Sequence, residues 1–186
     1  MKLLAACCVF LASTSLAFEA PTSFTLNGEQ QGEFEQQKRI AALPIPLLSR
    51  GRFSFSPQGG LKWQTVTPIA SLMTIDDQGI RQSQNGDIIW QKDKNSPEAL
   101  LIGGVFNAVL QQDWQQLAKD FELTRVATEA ESSGWQIQLL PRSEVIASYI
   151  RQVDIYGQQR AERFVMTEAS GDTTHIRLEY QDLSAQ

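Results

Sequence analysis

The sequence predicts a mainly β (α+β) fold: an incomplete, strongly curved antiparallel β-barrel with a helical lid. Apolar and polar residues alternate in roughly nine to eleven short segments, the period of strands with one buried face. Turn residues separate these segments at short intervals, which is typical of an antiparallel meander. Midway through the chain, one apolar stretch has helix signals instead. A curved sheet wrapped around this helix is the simplest arrangement.

The first 17 residues have the features of a secretory signal peptide. Lys2 precedes an apolar run over residues 3–16, and Ser15 and Ala17 are the small residues of a cleavage site. The run is shorter than the roughly 20 residues of a membrane-spanning helix. We expect cleavage after about Ala17 and a single soluble domain over residues 18–186.

The charge and the cysteine content of the chain argue against some classes of partner and against stabilisation by disulfide bonds. The chain has 16 basic and 21 acidic residues and a net charge of −5, without a cluster of Lys and Arg. Such a chain is a poor partner for nucleic acid or for an anionic membrane surface. Cys7 and Cys8 both lie in the predicted signal peptide, so the exported domain must depend on burial instead of disulfides.

Residues 51–68 predict a hairpin with one aromatic face. Phe53 and Phe55 alternate with polar residues, Gly59 and Gly60 supply the turn, and Trp63 continues the apolar face on the return strand. Before this hairpin we expect an extended arm over residues 18–28. The same alternation predicts the other strands, over residues 32–40, 69–75, 80–83, 87–91, 121–128, 135–141, 150–156, 161–168 and 173–180.

The central helix begins with a strong start signal. Ser96 is a suitable cap, Pro97 suits the first helical position and Glu98 lies in the first turn. Its apolar side chains point in nearly every direction as far as residue 110, so we expect burial all round or contact with an apolar cavity. Gly103 and Gly104 fit either close packing against the sheet or a helix that can open. We expect a short second helix over residues 113–120 and a helical turn over residues 143–148.

The sequence supplies no catalytic constellation. His175 is the only histidine and alternation places it on the solvent side of the last strand. Neighbouring carboxylates fit solvated faces better than a catalytic pair, as at Glu33 and Glu35. We find neither a metal-ligand cluster nor a phosphate loop. We therefore expect a protein that is not an enzyme and has no metal or cofactor.

The chain does supply apolar surface. A sheet with one apolar face and an apolar helix would together enclose a cavity for acyl chains. We expect its walls to be Phe53, Phe55, Trp63, Leu72, Trp135 and Ile137. The lid helix would contribute Leu101, Ile102, Val105, Phe106 and Val109. The alternative is a non-enzymatic adaptor or assembly protein with a packed core, which binds a protein partner through a sheet edge.

An ordered set of short motifs carries a family resemblance across most of the chain after residue 17. It comprises Gly32-x-Phe34-x-Gln36, Pro46-Leu47-x-Ser49-x-Gly51-x-Phe53-x-Phe55, Gly60-Leu61-x-Trp63, Pro68, the segment 75–79, the helical insert 97–121, the strand 135–141 and the Gly171-Asp172 turn. With these motifs the chain resembles the LolA-like periplasmic outer-membrane lipoprotein carrier proteins, and most closely a divergent branch of them.

The resemblance implies a periplasmic monomer whose apolar interior takes up the acyl chains of a lipidated cargo. An inner-membrane donor complex would release the cargo, and an outer-membrane acceptor would receive it. Members of the divergent branch sit beside genes for lipid and polyene-pigment synthesis, so the implied cargo is a lipoprotein, a glycolipid or a polyene lipid.

The chain departs from the family pattern in two places. Typical members begin with an amphipathic helix, whereas residues 18–28 here are short and interrupted by Pro21. Typical members also have an Arg-Pro pair before the segment that matches residues 61–63, and its arginine helps to latch the lid. Gly59 and Gly60 stand there in this chain.

Overall fold

A computed structural model describes residues 28–126 and 134–181 of the chain. The predicted signal peptide and nearly all of the predicted extended arm lie outside the described residues. Within them, eleven strands and three helices form, which agrees with the upper end of the predicted strand count.

The strands are β1 (Gln30–Arg39), β2 (Leu47–Ser56), β3 (Gly60–Thr67), β4 (Ser71–Asp76), β5 (Gly79–Gln84), β6 (Asp87–Asp93), β7 (Phe121–Val126), β8 (Trp135–Pro141), β9 (Ile150–Gly157), β10 (Ala161–Glu168) and β11 (Thr173–Tyr180). The helices are α1 (Pro97–Gln111), α2 (Trp114–Asp120) and α3 (Glu144–Ala147). Each predicted strand and helix is present, with shifts of a few residues at its ends.

All eleven strands belong to one sheet, in the order β6-β5-β4-β3-β2-β1-β11-β10-β9-β8-β7. Every pairing is antiparallel, and β1 joins the first meander to the second by pairing with β11. β6 and β7 are the two edges, so the barrel is incomplete, and α1 and α2 form the connection between these edges. The predicted fold class is confirmed.

The sheet is strongly curved. Met73 on β4 and Val153 on β9 line the same cavity, although their strands are six positions apart in the sheet. In a flat sheet, six steps of about 4.8 Å would separate them by about 29 Å. A cavity of about 290 Å³ is much narrower than that distance, so the two ends of the sheet must bend toward each other.

Two glycines make room for two aromatic rings at the centre of the sheet. Phe34 on β1 lies opposite Gly51 on β2, and Phe53 on β2 lies opposite Gly32 on β1. A Cβ at Gly51 would meet the carbonyl oxygen of Gln64 and lie 2.8 Å from a ring carbon of Phe34. A Cβ at Gly32 would lie 2.9 Å from a ring carbon of Phe53. Each ring therefore lies over the glycine of the neighbouring strand, which explains why each phenylalanine follows a glycine by two residues.

The start of α1 is confirmed in detail. The hydroxyl of Ser96 accepts a hydrogen bond from the backbone N–H of Ala99 at 3.2 Å, and Pro97 is the first helical residue. After the helix, Gln112 adopts a left-handed conformation with φ of 56°, and its N–H bonds to helix carbonyls. The two caps fix both ends of α1.

Of the two alternatives expected for α1, burial all round was wrong, whereas contact with an apolar cavity is what the structure shows. Leu100 is 60% exposed and Gly104 is exposed, because α1 covers the inner face of the sheet with one side and no described element packs on its other side. Gly103 faces inward, where a Cβ would lie 2.9 Å from Cγ2 of Ile75, whereas nothing lies within 4 Å of one at Gly104. Close packing thus accounts for Gly103 alone. No helix among the described residues is long and apolar enough to cross a membrane.

Gly51→Ala should lower the free energy of unfolding by about 1–3 kcal/mol, the usual cost of overpacking a core. The methyl group would displace the Phe34 ring or open the β2–β3 ladder. Urea unfolding monitored by circular dichroism measures the change.

Gly104→Ala is the matched control, since its methyl group meets open space and alanine favours a helix by about 1 kcal/mol. Equal stability of the Gly51→Ala variant and the unmodified protein would show that the reciprocal Gly–Phe packing is not required.

Candidate functional site

A mainly apolar cavity lies between the inner face of the sheet and α1. Its volume is about 290 Å³. It is bounded by the first half of α1 and by six strands, which are β1, β3, β4, β9, β10 and β11. The lining residues are Gln36, Lys38, Trp63, Met73, Leu101, Ile102, Val105, Phe106, Ile150, Val153, Phe164, Met166, Glu168, Thr174 and Ile176.

Aromatic side chains form the floor of the cavity. Phe34 stacks on Trp63 with ring centroids 3.8 Å apart and an interplanar angle of 22°. Phe106 of α1 lies 5.7 Å from Trp63 on β3 and 5.4 Å from Phe164 on β10. One helical side chain therefore contacts both halves of the sheet, at separations typical of favourable aromatic pairs.

The wall formed by β1, β11 and β10 becomes polar toward one edge. Gln36, Ile176 and Phe164 lie side by side on these strands, and Lys38, Thr174 and Met166 form the next row. Glu168 follows two residues later on β10. These rows lead from the aromatic floor to solvent, and we call the edge at Lys38 and Glu168 the mouth of the cavity.

An ion pair stands at this mouth. Nζ of Lys38 lies 2.6 Å from Oε1 of Glu168, and their side chains are 33% and 23% exposed. The pair connects β1 and β10 across β11. Both side chains keep some contact with water, so neither carries the full cost of burying a charge.

Five of the eleven predicted site residues line the cavity: Trp63, Leu101, Ile102, Val105 and Phe106. Another five are buried in the hydrophobic core away from it: Phe53, Phe55, Val109, Trp135 and Ile137. Leu72 is 37% exposed, and its neighbour Met73 lines the cavity instead. A shift of one residue along β4 therefore separates the predicted wall residue from the actual one.

Trp135 has a structural environment. Its indole N–H donates a hydrogen bond to the carbonyl of Gln158 at 2.8 Å, and its ring meets Trp114 of α2 edge-on at 5.6 Å. α2 thus covers this part of the inner face, whereas α1 leaves space over the neighbouring part.

The sequence patterns did not single out the lining residues on β9, β10 and β11. Alternation in β10 and β11 could have identified Phe164, Met166 and Ile176, which recur every second residue on the inward face. Lys38 and Glu168 gave no such signal, because their pairing depends on the register of β1 with β11 and β10, and β1 lies far from the other two strands in sequence.

A second ion pair holds the start of α1. Nζ of Lys92 on β6 lies 2.8 Å from Oε1 of Glu98 in the first turn of the helix. Their hydrogen bond lowers the pKa of Glu98 and raises the pKa of Lys92. At neutral pH both groups are charged, so the pair ties α1 to the edge strand.

Tyr180 lies at the end of the inner face that is opposite to the mouth. Burial raises the pKa of its phenol, which donates a hydrogen bond to the carbonyl of Ala161 at 2.6 Å. Its ring also meets Phe53 edge-on at 5.3 Å. The phenol therefore packs against Phe53 and links β11 to β10.

The predicted solvent-side residues lie where alternation placed them. His175, Glu33 and Glu35 are exposed, and Glu35 pairs with Arg50 at 2.9 Å on the outer face. The described part of the chain contains no group of three or more side chains suited to hold a metal ion.

Two solved structures are similar to this chain over most of its length. A LolA superfamily protein from Nitrosomonas europaea shares 11% sequence identity at a TM-score of 0.43, over 84% of this chain and 86% of that chain. A domain assigned to outer membrane lipoprotein sorting, from Vibrio parahaemolyticus, shares 10% identity at a TM-score of 0.43, over 86% of this chain and 87% of that chain. No protein-family model and no curated protein matches the chain.

Truncating two isoleucines should distinguish the cavity lining from the core. Ile137 is fully buried, so Ile137→Ala should lower the free energy of unfolding by about 2–5 kcal/mol. Ile102 is half-buried and already faces empty space, so Ile102→Ala should cost clearly less. Urea unfolding of both variants measures the difference. Equal losses would show that the residues around Ile102 are packed as tightly as the core.

Proposed function

We propose that this protein is a periplasmic carrier that binds the acyl chains of a lipidated cargo between the sheet and α1. It would ferry the cargo from the inner to the outer membrane without covalent chemistry, and it would not be an enzyme. The observation that carries this proposal is the mainly apolar cavity of about 290 Å³, which opens to solvent beside a helix that is exposed on its outer side.

The lining suits an acyl chain. Eleven of the fifteen lining residues are apolar, and they surround the space from both the sheet and the helix. Moving an acyl chain from water into such a site gains about 0.8 kcal/mol for each buried CH₂. Ligand sites usually measure about 300–1,000 Å³, so the cavity lies at the small end of this range. Larger cargo would therefore need α1 to move outward.

The contacts of α1 suggest which part moves. Its last turn is held to the sheet, because the side-chain amide of Gln30 donates a hydrogen bond to the carbonyl of Leu110 at 2.8 Å. Its first turn is held by the cap at Ser96 and by the Lys92–Glu98 pair, which is accessible to water. Exposed ion pairs contribute only about 0–1 kcal/mol. In this proposal the first half of α1 swings outward about its anchored end.

Apolar side chains near the mouth fit a handover of cargo. Several exposed ones occur at the same end of their strands as Lys38, on β2, β3, β6 and the β3–β4 connection: Leu47, Leu48, Val66, Ile69 and Ile88. Exposed apolar groups of this kind often mark contact with partners. In this proposal they face an inner-membrane donor complex and then an outer-membrane acceptor. The cargo would be a lipoprotein, a glycolipid or a polyene lipid, and the carrier a monomer.

One observation favours the rival function of a periplasmic adaptor that binds a protein partner. Among the described strands β6 is an edge, and it has two exposed isoleucines, Ile88 and Ile89, which are 55% and 54% exposed. A partner strand could pair with such an edge. The cavity under α1 would then serve no purpose, which makes the adaptor the second choice.

Val105→Asp should abolish the binding of an acyl probe. Val105 lines the cavity from α1, and a carboxylate there would face the methylene groups of the cargo without a partner. Fluorescence titration with a dansyl-labelled fatty acid measures binding, and circular dichroism measures whether the variant remains folded. Leu100→Asp is the matched control, since Leu100 is 60% exposed on the outer side of the same helix, and its variant should bind normally.

A second variant covers the case in which Val105→Asp unfolds the chain. Ile102→Trp adds bulk at a half-buried position of the lining, so it should fill the cavity and weaken probe binding at least tenfold while the fold remains. Unchanged probe binding in the folded Ile102→Trp protein would contradict the proposal.

A further inference from the structure

The connection from β1 to β2 is apolar without interruption and mostly exposed. With the first two residues of β2 it forms a run of eight residues, which we call the apolar segment: Ala41, Ala42, Leu43, Pro44, Ile45, Pro46, Leu47 and Leu48. Seven of the eight are exposed, and Ile45 has the highest exposure of the large hydrophobic side chains in the described residues, 71%. Exposed apolar residues usually occur singly, whereas a contiguous patch marks a contact surface.

The base of the apolar segment is held in place by hydrogen bonds. The backbone N–H of Ala41 donates to Oδ1 of Asp172, in the β10–β11 connection, at 3.0 Å. The N–H of Leu43 donates to the carbonyl of Ile40 at 2.9 Å. The last two residues of the segment pair with β1, and its two prolines have no N–H. The segment therefore presents few backbone donors that an apolar medium would leave unpaired.

The apolar segment lies beside the mouth of the cavity. Lys38 lines the cavity at the mouth and is the cross-strand neighbour of Leu47. The exposed side chains of Val66 and Ile69, at and after the end of β3, lie at the same end of the sheet. A molecule that leaves the cavity through its mouth would therefore emerge beside the apolar segment.

The charge around the apolar segment is positive, although the net charge of the chain is −5. Residues 36–75 include no acidic residue and five basic ones: Lys38, Arg39, Arg50, Arg52 and Lys62. Lys38 and Arg50 are in the ion pairs described above. Arg39, two residues before the segment, is exposed and has no ion-pair partner among the described residues. The local charge thus complements an anionic surface, which the net charge alone does not reveal.

We infer that the apolar segment docks this protein on a lipid bilayer that contains anionic lipids, with Leu43 and Ile45 among the acyl chains and Arg39 at the head groups. Docking of this kind gains from buried apolar area and from attraction to anionic lipid together. A protein partner fits less well, because interfaces that form and dissociate are only about as apolar as the rest of a protein surface. The inference goes beyond the proposed carrier function, since the contact needs no cargo in the cavity.

Partitioning onto protein-free vesicles tests the inference. Vesicles of phosphatidylethanolamine with phosphatidylglycerol are anionic, vesicles of phosphatidylcholine are zwitterionic, and flotation measures the bound protein. The unmodified protein should bind both and prefer the anionic ones. The double variant Leu43→Ser, Ile45→Ser should lower the partition coefficient at least tenfold on both, because it removes the inserted apolar groups.

Removal of one charge tests the electrostatic part of the contact. Arg39→Gln should lower partitioning about fivefold on the anionic vesicles and leave it unchanged on the zwitterionic ones. Lys62→Gln is the matched control, since Lys62 is equally classed as exposed but lies toward the opposite end of β3, and its variant should bind like the unmodified protein.

A tryptophan in the apolar segment reports insertion directly. The emission of Ile45→Trp should shift to shorter wavelength when anionic vesicles are added, and lipids with brominated acyl chains should quench it. Leu100→Trp is the matched control, because Leu100 is 60% exposed on the outer side of α1, and its emission should not shift.

Failure of the unmodified protein to bind either kind of vesicle would overturn the inference, and the apolar segment would then serve a protein partner. Equal partitioning of the unmodified protein and the Leu43→Ser, Ile45→Ser variant would overturn it as well. Titration with the dansyl-labelled fatty acid keeps the two proposals separate, because neither residue lines the cavity and the double variant should bind this probe normally. Failure of the unmodified protein to bind the probe would overturn the carrier function and leave the bilayer contact in place.

Discussion

The packing of Phe106 between Trp63 and Phe164 is the contact on which the rest of the structure depends. The sheet does not close, so its inner face needs a cover, and α1 covers much of it as part of the α1–α2 connection between the two edges. Phe106 reaches β3 on one side and β10 on the other, at 5.7 and 5.4 Å. Without this contact the two halves of the sheet would expose their aromatic side chains to water, at a cost proportional to the apolar area uncovered.

The same contact defines the cavity, because α1 touches the sheet at its aromatic floor and stands away from it toward the mouth. In the Gly32–Phe53 and Phe34–Gly51 pairs each ring lies over the glycine of the neighbouring strand, at the centre of the sheet. The aromatic floor is therefore tightly packed, and space remains between the floor and the mouth. The resulting site has an apolar end at the floor and a polar end at the mouth, and a fully packed core would not contain such a site.

Local patterns sufficed to predict the strands and the N-terminal cap of α1. Alternation at Phe53 and Phe55 and the Ser96-Pro97 start are encoded within a few residues. The division between cavity and core was not predictable in this way, since Ile137 and Ile102 are equally apolar and differ only in what packs opposite them. The Lys38–Glu168 pair joins residues 130 positions apart, so no local pattern indicates it. One side of α1 is exposed because no described element packs on it, which local patterns do not show either.

Native mass spectrometry of the protein, purified without detergent, tests the proposed carrier function most directly. The account predicts an adduct in addition to the mass of the chain, which is lost on gentle activation and whose mass is that of a lipid. A clean mass of the chain alone, together with no change in fluorescence on addition of an acyl probe, would contradict the account. The space under α1 would then be a packing defect, and the edge strand β6 with its exposed isoleucines would become the better guide to function.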